Sequence, residues 1–600
     1  MREPNTPKYL YVYDGVQRRR RKRRKIFLRR LAALAVFCGV IVGGVFIYLW
    51  LSSDSDDAAA GIAESTTTTI PPLEMTVAPV AYTAPEAFDF RTDVFQGSVP
   101  LPSYARPEPI EFGRGSDYTD LEGIITFRGN NYREGASYGT AEVAVGGLEI
   151  IWEVETGSVP RSSGSSRWTG SGWTGQPLIV KWPEDIKQMM NIFPEKKADP
   201  DLVEVIYPCL DGKIYFLDLK DGSATRAVIE TKGGAIKGTA SLYPDGTPLL
   251  FVGEGDALPG SDPDGAVKYL VYNLLNQSLL YTFGTDDPVA YRKTWQAYDA
   301  SALIDVETDT LIEPGENGLL YTIRLNTEFD KSTGRLTVSP EEPIKFRYTT
   351  PEYVDTLEGN TPSTRWWGME DSPVAWSHYL YVSDNGGKFM CIDLNTMQLV
   401  WVQDVLDDSN SSPLFEESLE EEMGYIYTSS SIHITGVGDP PTGQMPVWKL
   451  NAATGDVVWE STAYTCTSRS GASGGVQGTG LLGQHDISNL VIYPIAGTPT
   501  TYQGLLVALD KRTGAEVWRF TMANYAWSSP VAVYTPAGKS YIVICDSAGK
   551  MFLLEGTTGQ TLSSVILSAK ELPIEASPAV YNDTIVIGSR GQRIYGVDIF

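Results

Sequence analysis

An eight-residue step recurs along this chain, running from the acidic or amide side chain that closes one apolar run to an aromatic inside the next. "ALDKRTGAEVW" sets Asp510 and Trp518 that far apart, "KLNAATGDVVW" does so for Asn451 and Trp459, and "CIDLNTMQLVW" for Asp393 and Trp401. Weaker copies keep the step with other end residues: Asp218 to Arg226, Asn273 to Tyr281, Asp330 to Val338 and Glu555 to Ser563. The spacing predicts a tight hairpin in which Asp or Asn caps the turn, Gly takes the positive φ and the aromatic docks on the neighbouring unit. A hairpin cannot bury its own apolar face, so such copies must pack on one another, and the chain is expected to be an all-β array. Helical periodicity is almost absent; "PEDIKQMMNIFPEKKADP" is the one short helical insertion.

Each copy follows an opening phrase in which small residues lead into an apolar strand. There are eight: "GQPLIV" at Gly175, "GTASLY" at Gly238, "DASALI" at Asp299, "DSPVAW" at Asp371, "SSPLF" at Ser411, "SGGVQG" at Ser473, "SSPVAV" at Ser528 and "ASPAVY" at Ala576. The eighth unit ends at Phe600 just after its Asp598, before any closing strand. "GGLEIIWEVETG" (146–157), far upstream, reads as a closing strand with nothing before it, and Trp152 stands where a docking aromatic belongs. Both oddities vanish in an eight-bladed β-propeller whose last blade is closed by this N-terminal strand, a clasp that removes an open edge. Removing residues 1–140 is then expected to leave a folded domain, and removing 1–158 to open the ring.

The full motif at Ala508, Asp510, Thr513, Gly514 and Trp518 resembles the A-x-D-x-x-T-G-x-x-x-W docking repeat of the pyrroloquinoline-quinone-type (PQQ-like) eight-bladed propellers. "TFRGNNYREG" (Thr126 to Gly135) resembles the phrase that precedes the first blade in many non-enzymatic members. The resemblance covers about residues 120 to 600 and implies the fold. It leaves function open between BamB-like assembly scaffolds and quinoprotein dehydrogenases. A dehydrogenase would be expected to carry a vicinal Cys-Cys pair against its quinone and carboxylate or amide ligands for calcium, yet no two cysteines here are adjacent.

Ahead of the repeats the chain divides by charge. Its first thirty residues hold 12 Lys/Arg against two acids, while the whole chain carries −26, which leaves −36 on the rest and argues against nucleic acid as a partner. Residues 31–51 are 21 uncharged, largely apolar residues, long enough to cross a bilayer as one helix. That apolar run is longer than a signal-peptide core, so a membrane anchor is preferred over a cleaved leader. The basic flank places 1–30 in the cytoplasm and the rest outside the cell membrane. Residues 52–115, rich in Asp, Ala, Ser, Thr and Pro, read as a disordered extracytoplasmic tether, and 116–600 as the propeller. Cys209, Cys391 and Cys545 lie in separate strand-like runs and are expected to be single buried thiols.

Neither a catalytic constellation nor a metal site nor a bound cofactor is read from the residues. His378, His433 and His485 fall in different units without ligand spacing and are expected to be exposed or locally hydrogen-bonded; "SDPDGAVKY" (261–269) is read as a turn rather than a calcium loop, and "SRSGASGG" (468–475) lacks the Lys of a phosphate loop. What remains is binding. Loops that precede the blade openings should crowd at one mouth of the central channel, and they carry Trp173, Lys237, Trp295, Tyr298, Trp366, Trp367, Glu370, Arg469, Trp527 and Glu575. Trp152, Trp401, Trp459 and Trp518 are assigned to docking between blades; the pair Trp366-Trp367 is surplus to that need and is expected to stack a ligand. The function expected is that of a membrane-anchored, non-catalytic binding or scaffolding module for envelope proteins or glycans. The alternative is a quinone- or metal-assisted oxidoreductase acting on an extracytoplasmic alcohol or sugar.

Overall fold

The computed structural model describes residues 73–600 apart from 261–265, 294–295, 352, 354–366 and 568–571. The basic tail, the membrane-span candidate at 31–51, the tether up to residue 72 and the aspartates of the 261–265 loop lie outside these residues. Among the described residues no helix is long and apolar enough to cross a membrane.

Eight antiparallel sheets of four core strands each follow one another along the chain. Blade 1 is built from Leu178–Lys181, Glu204–Pro208, Lys213–Asp218 and Ile229–Glu230, with the helical insertion (Glu184–Met189 and Pro194–Lys197) between its first two strands. Blades 2 to 7 open at Ser241, Leu303, Val374, Leu414, Leu481 and Val531. Blade 8 takes three strands from the C-terminus, Ala579–Tyr581, Thr584–Ser589 and Arg593–Ile599, and its fourth, Leu148–Glu155, from the N-terminal side. The clasp read from the sequence is therefore present. Its pairing with Arg593–Ile599 shifts register between Gly596 and Val597, beside Trp152, as the pairing opposite Trp518 shifts between Ala508 and Leu509.

Two details of the repeat reading are corrected. The sixth blade opens at Leu481, from "GTGLLG" and not from "SGGVQG", because residues 464–475 are spent on a hairpin arm and a tight turn at the rim. The step from Asp330 to Val338 belongs to a separate two-stranded hairpin, Glu328–Asp330 with Arg335–Thr337; the outer strand of blade 3 is Ile344–Thr349. A Thr-Gly turn signals a hairpin but not its place in a blade.

The docking role of the tryptophans is atomic in origin. The indole N–H of Trp152, Trp401 and Trp459 donates to the carbonyls of Leu219, Ala452 and Lys511 at 2.8, 3.0 and 2.9 Å, three residues before the turn glycine of the following blade. A Cβ at those glycines, Gly222, Gly455 and Gly514, would stand 2.7, 2.7 and 2.6 Å from the ring, and Gly559 meets Trp518 in the same way at 2.5 Å. Gly is thus demanded twice, by positive φ and by the ring above it. Gly514→Ala is expected to lower stability by about 2–4 kcal/mol, since left-handed strain and overpacking add. Gly334→Ala, with φ +68 and nothing within 4 Å, should cost about 1 kcal/mol from backbone strain alone; denaturant melts of the two variants check the difference.

The small residues of the openings also have a function in the ring. Backbone N–H groups of Ser301, Ser372, Ser412, Thr479 and Ser529 donate to the hydroxyls of Ser372, Ser412, Thr479, Ser529 and Ser577 in the next blade, at 2.8–3.1 Å. A hydroxyl girdle therefore joins the starts of the innermost strands of blades 3 to 8.

One end of this girdle is covered by "TFRGNNYREG". Arg128, Asn131 and Arg133 are fully buried. Arg133 donates to Thr126 Oγ1 and to the carbonyls of Phe127, Pro373 and Ser301 at 2.7–3.0 Å; Arg128 reaches the Pro530 carbonyl at 3.1 Å. Main-chain bonds join Asn131 to Ala375, Tyr132 to Phe415 and Ala136 to Val580, so the segment ties the first strands of blades 4, 5 and 8 together. Burial pulls both guanidinium pKa values down to about 10, still charged at neutral pH.

The tether prediction is corrected over its described part. From Leu73 onward the chain is laid on the propeller: Ala78 and Thr83 bond to Ala453 and Val402, Arg91–Gln96 adds a strand to the outer edge of blade 3, and Ile110 is buried. Its apolar residues Leu73, Phe90 and Ile110 enter clefts between blades one at a time. A ribbon that borrows its partners from elsewhere needs no period of its own.

Candidate functional site

In each blade the first strand leaves one face of the ring and the second returns to it. The connections that precede the first strands and the turns between second and third strands therefore share the face opposite the buried arginines. Charged and aromatic side chains converge there in two arcs.

The acidic arc starts at Lys237, whose Nζ lies 3.0 Å from Asp299 Oδ2, both side chains being buried. Arg292 meets Glu316 at 3.1 Å, and carboxylate oxygens of Asp299, Glu316 and Glu370 lie within 4.8 Å of one another. Burial, reinforced by the Glu370 charge, pushes the Glu316 carboxyl well above the usual carboxylate range. Glu370 accepts from the amides of Asn385, at 2.7 Å, and Asn410. Asn385 also donates to Asp408 at 2.9 Å, and Asp408 meets His433 Nδ1 at 2.8 Å.

The aromatic arc is a run of four rings. Trp168 and Trp173 stand edge to face at 5.9 Å, Trp173 and Trp527 at 6.0 Å, and Tyr525 and Trp527 are tilted at 5.5 Å. A guanidinium caps each end, Arg161 at 3.8 Å over Trp168 and Arg469 at 5.2 Å over Tyr525, and neither makes a salt bridge among the described residues. Lys237 Nζ, 4.9 Å from the Trp173 centroid, joins the two arcs. Trp173 and Thr174 both lie in the left-handed region, at φ 60 and 64. Two consecutive non-glycine residues in that region, one of them β-branched, are a costly way to present a side chain, the kind of strain that clusters at binding sites. Glu575 sits behind the turn, 3.6 Å from Arg590.

Six of the predicted mouth residues therefore converge: Trp173, Lys237, Glu370, Arg469, Trp527 and Glu575. Two do not. Tyr298 is fully buried against Tyr269, Phe283 and Tyr321, with its hydroxyl donating to the Gly284 carbonyl at 3.0 Å. Trp367 is fully buried, stacked on Tyr291 at 5.1 Å and edge-on to Tyr353 at 5.6 Å. It packs the core between blades and cannot stack a ligand; surplus to the docking repeat did not mean free. Trp295 and Trp366 lie outside the described residues. Sequence reading missed Glu316 and Asn385 by searching only the loops before each opening for liganding groups, and passed over Asp408 within such a loop. The first two sit in Asn-Gly turns between second and third strands, "EPGENG" and "SDNGG", which reach the same face.

A cleft of about 450 Å³ is lined by Leu73, Glu74, Glu111, Arg114, Tyr132 and Glu417 at the N-terminal ribbon. There Glu417 is already bound by Arg114 at 3.1 Å and Tyr132 at 2.6 Å.

The donor set does not fit the quinone and calcium that the resemblance would bring. Of the carboxylates that could hold a cation, Asp299 is paired with Lys237, Glu316 with Arg292 and Glu370 with the amides of Asn385 and Asn410, and Cys209, Cys391, Cys466 and Cys545 are buried, unbridged and far apart in sequence.

None of the curated proteins matches the chain. The BamB structure from Moraxella catarrhalis is 15% identical, covering 75% of this chain and 97% of its own, with TM-score 0.39. A quinohemoprotein alcohol dehydrogenase from Pseudomonas putida HK5 is 10% identical, covers 80% of each chain and has TM-score 0.38. The computationally designed Ika8 protein is 11% identical, covers 66% of this chain and 93% of its own, and has TM-score 0.40. Residues 502–599, on blades 6 to 8 of this eight-bladed β-propeller, match the family described as outer membrane protein assembly factor BamB.

Proposed function

We propose that this protein is a membrane-anchored, extracytoplasmic binding module whose open channel mouth takes a component of the cell envelope, a glycan or a protein segment. The observation that carries the reading is the four-ring run capped at both ends by guanidiniums that form no salt bridge among the described residues. Cations held over rings and left unpaired are prepared to meet acceptors on a ligand. Asp299 and Glu370, each already holding a donor of the protein, keep further carboxylate lone pairs suited to hydroxyl or amide groups. Anchoring by residues 31–51 and an outside location rest on the charge asymmetry of the N-terminus. A scaffolding role would use the same mouth.

The test is binding of glycan arrays and solubilised envelope proteins to the full-length protein in detergent. Trp173→Ala is expected to weaken the interaction by about 1–3 kcal/mol, the range for an aromatic anchor, while the melting temperature stays near that of the wild type. Unchanged binding would remove the mouth as the site. Stoichiometric uptake of PQQ with calcium, accompanied by dye reduction, would replace this reading with the oxidoreductase one.

A further inference from the structure

The acidic arc ends in an arrangement that binding does not require. His433 Nδ1 lies 2.8 Å from Asp408 Oδ2, and His433 Nε2 lies 2.9 Å from Ser473 Oγ. Three connections supply the three residues: the link between blades 4 and 5, the turn between the second and third strands of blade 5, and the link between blades 5 and 6.

Their alignment is built into the backbone. Ser431 and Gly475 form an antiparallel bridge, with Ile432 N–H bonded to Gly474 O at 2.8 Å and Val476 N–H to Ser430 O at 2.9 Å. Two residues beyond Ser431 and two before Gly475, His433 and Ser473 are therefore cross-strand neighbours. The Asp407 carboxylate accepts the N–H groups of His433, Ile434 and Thr435 at 2.8–3.0 Å, which fixes the histidine loop from below. Asp408 is buried, held by Asn385 at 2.9 Å, and its own carbonyl accepts the Ser431 N–H at 2.7 Å. On the far side Arg469 and Ala472 close a tight turn through mutual backbone bonds at 2.9 Å, and the Ser473 carbonyl accepts Trp527 Nε1 at 3.3 Å. Ser473 Oγ faces the mouth on a partly exposed residue, while the Ser473 N–H meets no acceptor among the described residues.

We propose that Asp408, His433 and Ser473 form a nucleophilic triad that hydrolyses carboxylic esters at the channel mouth. Asp408 accepts from Nδ1–H and so leaves the Nε2 lone pair facing the serine, the tautomer a general base needs. Ser473 Oγ adds to the ester carbonyl as its proton passes to His433 Nε2. The C–O bond to the alcohol then breaks, and the alcohol leaves with that proton, giving an acyl-serine. A water molecule, deprotonated by His433, adds to the acyl carbon, and the free acid departs as Ser473 regains its proton. The unbonded Ser473 N–H is the nearest donor for the oxyanion. His433 and Ser473 are the catalytic residues, Asp408 the positioning residue. This activity goes beyond the binding reading, and its probes need no native ligand, so either can fail without the other.

Full-length protein is treated with a fluorophosphonate probe, and p-nitrophenyl acetate hydrolysis is followed in parallel. Labelling mapped to Ser473 is expected, together with loss of both signals in Ser473→Ala and His433→Ala and a fall in kcat of at least about 10³-fold relative to wild type. Asp408→Asn should lower kcat with KM little changed and distort the pH-rate profile, which a purely structural loss would not do. Thermal melts of all three variants confirm that the fold is kept. A wild-type protein that is neither labelled nor hydrolytic, or labelling that survives in Ser473→Ala, overturns the proposal.

Discussion

A chain that begins at residue 159 is expected to open at blade 8 and aggregate, whereas one that begins at Leu73 should melt cooperatively as the intact ring. Without Leu148–Glu155 the strand Arg593–Ile599 becomes an unpaired edge, and Trp152, buried against Gly222 and Gly596, leaves a cavity between blades 8 and 1. Losing a large buried aromatic alone costs about 3–5 kcal/mol, and the exposed edge adds a template for association. A start at residue 141 distinguishes two contributions. It keeps the clasp but loses Thr126–Gly135, so a drop in stability is expected here too, contrary to the expectation that residues 1–140 are dispensable. Equal melting temperatures for starts at 73 and 141 would show that the buried arginine segment contributes nothing; equal temperatures for 141 and 159 would refute the closure.

Arg133→Met is expected to destabilise the ring by about 3–5 kcal/mol. The guanidinium satisfies three carbonyls, of Phe127, Pro373 and Ser301, and the Thr126 hydroxyl, all at buried positions. Each orphaned acceptor costs about 1–3 kcal/mol, and a thioether of similar length offsets only the packing. Arg128→Met should cost less, because Arg128 makes fewer bonds and its Nη2 is already unpartnered. Denaturant unfolding of both variants checks the order; a smaller loss for Arg133 than for Arg128 would mean that the carbonyl fan is not what holds the inner strands.

Both predictions concern the N-terminal third of the chain, where local pattern was least informative. The repeat was legible because its determinants are local: Asp510 caps its own turn, with Oδ1 accepting the Thr513 N–H at 2.8 Å, and Gly514 must take φ +70. Residues 73–115 carry no such signal, since their backbone partners, Val402, Ala453 and Ile344–Thr349, lie hundreds of residues away.

The candidate site divides along the same line. That loops before the openings would share a face follows from the up-and-down order of strands, and the structure sets Trp173, Lys237, Glu370 and Arg469 on such loops. Whether an aromatic on such a loop turns outward or inward is decided by the space beside it: Trp367 fills the volume between Tyr291, Tyr353 and Gly318, whereas Trp173 is held out by a left-handed turn. His433 was read as locally hydrogen-bonded, which it is, but the identity of its partners was invisible because Asp408, His433 and Ser473 come from three separate connections.

By itself, then, the sequence determined the eight-unit ring, the closing strand around Trp152 and the docking glycines, because hairpin caps, positive φ and strand period act between neighbours in the chain. Only the tertiary structure decided the burial of Arg128 and Arg133 across one end of the channel, the pairing of Lys237 with Asp299 at the other, and the meeting of Asp408 with His433 and Ser473. Those contacts depend on which loops the closed ring brings to the same face, and ring closure is a property of all eight blades at once.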